Sequence, residues 1–193
     1  LEGPLYIGDG SLIQPGAVVN EGVSIGPVCK VGGELESSII HSYSNKQHDG
    51  FLGHSYIGQR VNLAADTINS DLKNTYGHVR VPVNGRDVDT GEMFVGLTMG
   101  DHSKTSVNSK FSTGTVVGFG CSVFLSHFPP RFVRSFSWLK DEGRMDAILD
   151  KALEVATIVM ARRHVVMTPA MQRLFLNIAE QAAVYEPSAV QEV

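Results

Sequence analysis

Residues 1–31, LEGPLYIGDGSLIQPGAVVNEGVSIGPVCKV, carry an aliphatic side chain at every sixth position: Leu1, Ile7, Ile13, Val19, Ile25 and Val31. A second series follows four residues after each of these, and its members are all small or apolar: Leu5, Ser11, Ala17, Val23, Cys29 and Leu35. A period of six with two inward positions favours short strands joined by tight corners. Three such strands make a coil of about 18 residues, and coils stack about 4.8 Å apart. The sequence therefore predicts a parallel β-helix of hexapeptide repeats, because the alternation of a β-sandwich would not repeat at six.

Beyond Val31 the six-residue series of inward positions is interrupted. After a slip of two residues we place the inward positions at Ile39, Asn45, Phe51, Ile57, Leu63 and Asn69. A later run places them at Val95, Asp101, Val107, Thr113 and Phe119. Between the runs, residues 84–91 (NGRDVDTG) are dense in turn formers and predict a protruding loop. We therefore expect an all-β solenoid of about six coils over residues 1–127, with a loop insertion at 84–91.

Residues 128–193 predict a capping segment and a two-helix C-terminal extension. The segment Phe128-Pro129-Pro130 cannot continue the backbone hydrogen bonding between stacked strands, because proline has no N–H to donate. The aromatic residues that follow should cover the open edge of the last coil: Phe132, Phe136 and Trp138. Helical spacing of apolar residues begins at Met145 and ends at Met160. A second helix should begin at Thr168-Pro169, with an apolar stripe of Met171, Leu174, Phe175, Ile178 and Ala182.

Composition limits the functional classes. The 193-residue chain has 42% hydrophobic and 19% charged residues, which excludes an intrinsically disordered protein. A net charge of −4 disfavours nucleic acid as a partner, and no apolar run is long enough to predict a membrane span. Two cysteines make no disulfide scaffold and favour a reducing, cytoplasmic setting. Because Leu1 already lies in phase and no initiator Met is present, we expect the C-terminal part of a longer protein.

Four stretches of the sequence resemble motifs of a known protein family: residues 44–55 (SNKQHDGFLGHS), 69–74 (NSDLKN), 94–102 (FVGLTMGDH) and 128–138 (FPPRFVRSFSW). They resemble the acetyltransferase half of the bifunctional UDP-N-acetylglucosamine pyrophosphorylase/glucosamine-1-phosphate acetyltransferases. They are more similar still to bacterial and archaeal sugar-1-phosphate nucleotidyltransferases that carry such a C-terminal half. The resemblance implies a left-handed β-helix, a homotrimer, and an N-terminal nucleotidyltransferase domain that this chain lacks.

The resemblance also implies acetyl transfer from acetyl-CoA, a cosubstrate that is not tightly bound, to an amino-sugar phosphate. His48 matches the position of the family's catalytic base. A histidine with an ordinary pKa near 6.5 can accept the amine proton at neutral pH, and a thioester needs no covalent nucleophile. His54 has the same phase one hexapeptide later and is the alternative base.

The remaining site residues are assigned by position and charge. The resemblance implies substrate contacts from Phe51, Asn62, Asn69 and Asp71, and Lys73 is a candidate phosphate ligand. It also implies a backbone contact of Ala65 with acetyl-CoA, whose phosphates could meet Lys104 and Lys110 in the later coils. No metal ligands are expected.

Three departures from the family pattern keep other functions open. Phe51 lacks the hydroxyl of the family's tyrosine, and Gln14 and Gly32 stand where the family has a basic pair for the sugar phosphate. Without these charges phosphate binding should be weaker, unless other lysines compensate: Lys30, Lys46 and Lys73. The alternatives are a non-catalytic trimerisation domain and a zinc enzyme of the hexapeptide carbonic anhydrase type, which needs three imidazoles.

Overall fold

A computed structural model describes residues 1–186, with 21 strands and two helices. The strands in chain order are β1 (Leu5–Ile7), β2 (Leu12–Ile13), β3 (Val18–Val19), β4 (Val23–Ile25), β5 (Lys30–Val31), β6 (Glu34–Glu36), β7 (Ile39–Ile40), β8 (Asn45–Lys46), β9 (Phe51–Gly53), β10 (Tyr56–Ile57), β11 (Ile68–Asn69), β12 (Arg80–Val83), β13 (Arg86–Asp89), β14 (Thr98–Met99), β15 (Lys104–Thr105), β16 (Lys110–Phe111), β17 (Val116–Val117), β18 (Ser122–Phe124), β19 (Phe132–Val133), β20 (Ser137–Lys140) and β21 (Gly143–Asp146). The helices are α1 (Leu149–Ala161) and α2 (Pro169–Tyr185).

The strands stack into three faces, which each coil crosses in turn. Face A is one sheet of seven parallel strands in the order β1-β4-β7-β10-β14-β17-β19. Face B contains β2-β5-β8 and β15-β18-β20, and Asn62 bridges the two groups through Asn45 and Lys104. Face C contains β3-β6-β9 and β11-β16. The predicted parallel β-helix with a helical extension is confirmed, although seven strands on face A exceed the six coils expected.

Most strands of the three faces contribute one buried side chain to the coil interior, and β4 contributes two, Val23 and Ile25. The predicted inward positions are correct at Val19, Ile25 and Val31, which are fully buried, whereas Leu1 and Ile7 of the first coil are exposed. After the slip the first three predicted positions were wrong by one residue, because Ile40, Lys46 and Leu52 are buried in their place. The next three, Ile57, Leu63 and Asn69, were correct and are buried. In the later run the predicted positions fall between two buried series, one of which is Met99, Thr105, Phe111, Val117 and Val123. Aliphatic residues also lie on the outer side of the strands, as Ile39 and Val107 are 44% and 61% exposed, so hydrophobicity alone does not fix the phase.

Lys46 occupies an interior position that other coils fill with aliphatic residues, and it is only 1% exposed. Its Nζ donates to the backbone carbonyls of His48 and Asp49, at 2.9 Å for Asp49. Burial lowers the pKa of Lys46 to about 8, against the opposing effect of the Asp49 and Asp66 carboxylates. The buried amine therefore stabilises the corner after β8 through hydrogen bonds made within the coil.

The segment expected to protrude at residues 84–91 belongs to an antiparallel hairpin of β12 and β13. Asn84 and Gly85 form its turn with φ of 47° and 80°, as a type I′ turn requires. Arg80 pairs with Asp87 at 2.9 Å, and Arg131 reaches the same carboxylate at 3.0 Å. The first pair joins the two strands of the hairpin, and the second links the hairpin to the later coils.

Parallel pairing continues past the boundary expected at residue 127, because β19 pairs with β17 and β20 pairs with β18. β21 then returns antiparallel to β20 and contains Met145, so α1 begins later than the spacing predicted, at Leu149. α2 begins as predicted, with Pro169 in its first turn and Thr168 Oγ1 accepting a hydrogen bond from Met171 N.

The helices pack on the late part of the β-helix through a second apolar cluster. Phe175 of α2 and Ala156 of α1 are buried there with Phe136, and Phe119 packs against them. The predicted stripe of α2 is only partly covered, since Leu174 remains exposed. Within residues 1–186, neither helix combines the length and apolarity needed to cross a bilayer. Residues 187–193 of the predicted extension lie outside the described part of the chain.

Candidate active site

His48 lies on the corner between faces B and C, after β8. Its side chain is exposed, whereas its backbone carbonyl is held by the buried amine of Lys46. The corners of adjacent coils stack beside it and form an open pocket of about 460 Å³. This pocket brings together four positions that the sequence singled out: Gln14, Gly32, His48 and Ala65.

The charge of this pocket differs from what a sugar phosphate requires. Its described lining includes the carboxylates of Asp49 and Asp66 but no lysine or arginine. Gly32 has no room for a larger residue, because a Cβ there would lie 2.3 Å from the carbonyl oxygen of Gln47. A basic side chain at this position would displace the neighbouring corner.

Asn69 lies inside the β-helix rather than in the pocket. Its amide accepts a hydrogen bond from Gly53 N and donates one to Gly53 O, both at 3.0 Å. These contacts satisfy the backbone of the coil before it. The residue predicted to bind substrate therefore holds two coils together.

Asp71 and Phe51 meet at a different corner, between faces C and A. The Asp71 carboxylate lies 2.8 Å from His54 Nδ1, and the His54 ring stacks on Phe94 with centroids 5.0 Å apart. The Phe51 ring and Asp71 both lie against Gly53. A carboxylate on Nδ1 orients an imidazole, so this pair also has the arrangement of an oriented base.

The pairing of His54 with Asp71 was missed by the sequence analysis. The two residues are 17 positions apart, which is one coil of this β-helix. The coil length was the only signal that could have found them, and it varies in this part of the chain. The structure thus separates the two histidines that the hexapeptide phase treats as equivalent.

Asn62 and Lys104 line a second cleft, of about 500 Å³, between face B and the C-terminal end of α1. Asn45 Nδ2 donates to Asn62 Oδ1 at 3.3 Å. Gln47 lines both this cleft and the His48 pocket, so the two adjoin.

Two predicted phosphate ligands lie elsewhere. Lys73 donates to the carbonyl oxygen of His78, and Lys110 Nζ lies 5.4 Å from the centre of the Phe128 ring. Neither contributes to the lining of the His48 pocket.

The zinc-enzyme alternative gains no support from the geometry. Across residues 1–186, no three histidine, cysteine, aspartate or glutamate side chains are grouped closely enough to hold a metal ion. The two cysteines, Cys29 and Cys121, are buried free thiols, and burial raises the pKa of Cys121 to about 12. They are packing residues in the coil interior.

Comparison with known proteins finds relatives of one kind. The chain is 29% identical over 132 residues to the bifunctional protein GlmU of Methanocaldococcus jannaschii, which is 67% of this chain and 31% of that protein. It is 31% identical over 111 residues to the bifunctional sugar-1-phosphate nucleotidylyltransferase/acetyltransferase of Sulfurisphaera tokodaii, which is 58% of this chain and 27% of that protein. No family model matches the chain. The resemblance drawn from the motifs is confirmed, and the chain spans about a third or less of these curated relatives.

Proposed function

We propose that this chain, a relative of the bifunctional sugar-1-phosphate nucleotidylyltransferase/acetyltransferases, transfers an acetyl group from acetyl-CoA to an amino-sugar phosphate, with His48 as the general base. The observation that carries the proposal is that His48 is exposed in a pocket shared with Gln14, Gly32 and Ala65. These are the positions that the family resemblance places around the acceptor and the cosubstrate.

The proposed chemistry needs one proton acceptor. The acceptor amine attacks the thioester carbon, a nitrogen–carbon bond forms, and the amine proton passes to His48. The carbon–sulfur bond then breaks, and the imidazolium returns the proton to the departing thiolate of CoA. Backbone N–H groups at the stacked corners are suited to stabilise the oxyanion, since they need no reorganisation.

We further propose that the active form is a cytoplasmic homotrimer with His48 facing a cleft between subunits. Two observations support association. The outer side of face A carries exposed apolar residues, among them Tyr6, Ile39 and Tyr56. The His48 pocket is also open on one side, so that a second chain could supply the positive charge that its described lining lacks.

A non-catalytic trimerisation domain is the second candidate, and the charge of the pocket favours it. Asp49 and Asp66 would repel a sugar phosphate, and Gly32 leaves no room for the family's basic residue. Of the lysines considered as substitutes, Lys46 is enclosed in the coil and Lys73 is bonded to His78 O.

Acetylation assays distinguish the two candidates. Acetyl-CoA should be incubated with glucosamine-1-phosphate, galactosamine-1-phosphate or unphosphorylated glucosamine, and free CoA thiol and acetylated product measured for this chain and for the full-length protein. We expect turnover with an amino-sugar phosphate above the rate without protein. If the full-length trimer turns over none of the three amines, the acetyltransferase proposal fails and the trimerisation domain replaces it. Turnover of glucosamine alone would keep acetyl transfer but contradict the phosphorylated acceptor.

A further inference from the structure

The cleft between face B and the end of α1 concentrates positive charge in a chain whose net charge is −4. Five basic side chains line it, from three strands or corners and from the end of the helix: Lys30, Arg60, Lys104, Arg162 and Arg163. The described residues that line the cleft include no aspartate or glutamate. The charge is therefore not neutralised within the cleft.

The position of the helix end is fixed by contacts to the β-helix. Arg163 donates to Asn45 Oδ1 at 2.6 Å and to the carbonyl oxygen of Val28 at 3.2 Å. Met160 of α1 is buried beside the cleft. These contacts hold Arg162 and Arg163 over face B, so the helix closes one side of the cleft.

Arg60 also lines the cleft, and two contacts fix the orientation of its side chain. Its guanidinium lies 5.1 Å from the centre of the Tyr43 ring and donates to Gln59 Oε1 at 2.9 Å. Its Nε is buried and has no hydrogen-bond partner in the described part of the chain. The ring contact and the hydrogen bond hold the guanidinium in place at the lining of the cleft.

Two titratable groups near the cleft, Lys104 and His102, are affected mainly by burial. Burial lowers the pKa of Lys104, and its Nζ donates to the carbonyl oxygen of His102 at 3.0 Å. Burial, with further contributions from Arg60 and Lys104, lowers the pKa of His102 to about 4. His102 is thus neutral at pH 7 and adds no charge to the cleft.

We propose that this cleft is a second ligand site that binds a small, multiply charged phosphate compound through Lys30, Arg60, Lys104 and Arg162. A volume of about 500 Å³ lies within the range of small-molecule pockets. Planar guanidinium groups and ammonium groups are the side chains that bind phosphate oxygens most strongly. The proposal does not depend on acetyl transfer at His48, because it concerns binding alone.

Three kinds of compound could supply the phosphate groups that bind in this cleft. Gln47 joins the cleft to the His48 pocket, so the phosphates of CoA or of an amino-sugar phosphate could reach it while the reacting group lies at His48. A separate oligophosphate effector is the third source. Probes that carry each group alone distinguish them.

The test is calorimetric titration of the full chain with inorganic pyrophosphate, adenosine 3′,5′-diphosphate and glucosamine-1-phosphate in about 50 mM salt, where charge screening is weak. Wild type is compared with Arg162→Gln and Lys30→Gln. Lys140→Gln is the matched control, because it removes one positive charge beside Trp138, outside the cleft. We expect saturable pyrophosphate binding that weakens about tenfold in each cleft variant and less than twofold in the control.

Arg162 is exposed, so its replacement should not unfold the protein. The melting temperature without ligand should stay the same or rise, because a repulsive charge is removed. The probe that binds most tightly, with the same dependence on the cleft variants, identifies the source. The proposal is overturned if pyrophosphate shows no saturable binding at millimolar concentration, or if the control loses as much affinity as the cleft variants.

Discussion

The two corners that flank β9 hold their histidines in opposite ways. His48, on the corner before β9, is exposed in a pocket, and only its backbone carbonyl is fastened, by Lys46. His54, on the corner after β9, has its ring fixed by Asp71 and stacked on Phe94. Two residues at equivalent positions of a six-residue repeat can therefore differ in side-chain mobility, because the contacts of each depend on the residues of the adjacent coil.

The largest expected change in stability tests the close packing of the corners around His48. Gly32→Ala places a Cβ 2.3 Å from Gln47 O and should lower the free energy of unfolding by about 3 kcal/mol. Gly77→Ala is the control, because its Cβ meets nothing closer than 3.8 Å. Denaturant unfolding measures both variants. Equal stability of the two would show that the corners can separate to admit larger residues, including the family's basic one.

The pH dependence of stability tests the buried amine of Lys46. Its pKa is about 8 in the fold, below the ordinary 10.5, so the unfolded chain binds more protons between these values. The contribution of Lys46 to the free energy of unfolding should therefore rise with pH across this interval, by at most about 3 kcal/mol, because the fold favours the neutral amine. The raised pKa of Cys121 acts in the opposite direction, so the contribution of Lys46 is read from the difference between wild type and a Lys46 variant.

Lys46→Met should remove this rise, whereas Lys140→Met, at an exposed position, should keep it. Unfolding at several pH values between about 7.5 and 10.5 measures the slope. The same slope in wild type and Lys46→Met would contradict the enclosed amine.

A smaller effect is expected at the second corner. Asp71→Asn removes the charged partner of His54 and should cost about 1 kcal/mol of stability, as for a partly exposed charge-assisted bond. Turnover of an amino-sugar phosphate should change by less than about threefold, because this pair lies outside the His48 pocket. Loss of turnover with stability retained would instead make Asp71 and His54 the catalytic pair.

The smallest effect concerns the acceptor phosphate. Gln14→Lys restores a positive charge to the His48 pocket and should lower KM for the amino-sugar phosphate about threefold to tenfold, leaving kcat nearly unchanged. Pro15→Lys, beside it in the same pocket lining, tests whether charge alone is sufficient. An unchanged KM in Gln14→Lys would place the phosphate away from this corner.

Much of the early coils could be predicted from sequence because their inward positions are aliphatic or small. The middle coils could be predicted only from Ile57 onward, because Lys46 is inside and Ile39 outside before it, and corners of different length shift the phase. The position of His48 followed from its motif and is found in a pocket. The contact between His54 and Asp71 depends on coil length, and the placement of α1 over face B depends on tertiary packing. An amphipathic pattern shows that a helix has an apolar side but does not identify the surface that covers it.

The most direct test of the account compares His48→Ala with His54→Ala in steady-state acetyl transfer to the amino-sugar phosphate. We predict that His48→Ala lowers kcat by about 10²–10⁴ while acetyl-CoA binding and melting temperature stay close to wild type. His54→Ala should mainly lower the melting temperature, since it loses the Asp71 and Phe94 contacts, and should retain most of kcat. Loss of turnover in His54→Ala with full turnover in His48→Ala would contradict the account and move the base to the corner after β9.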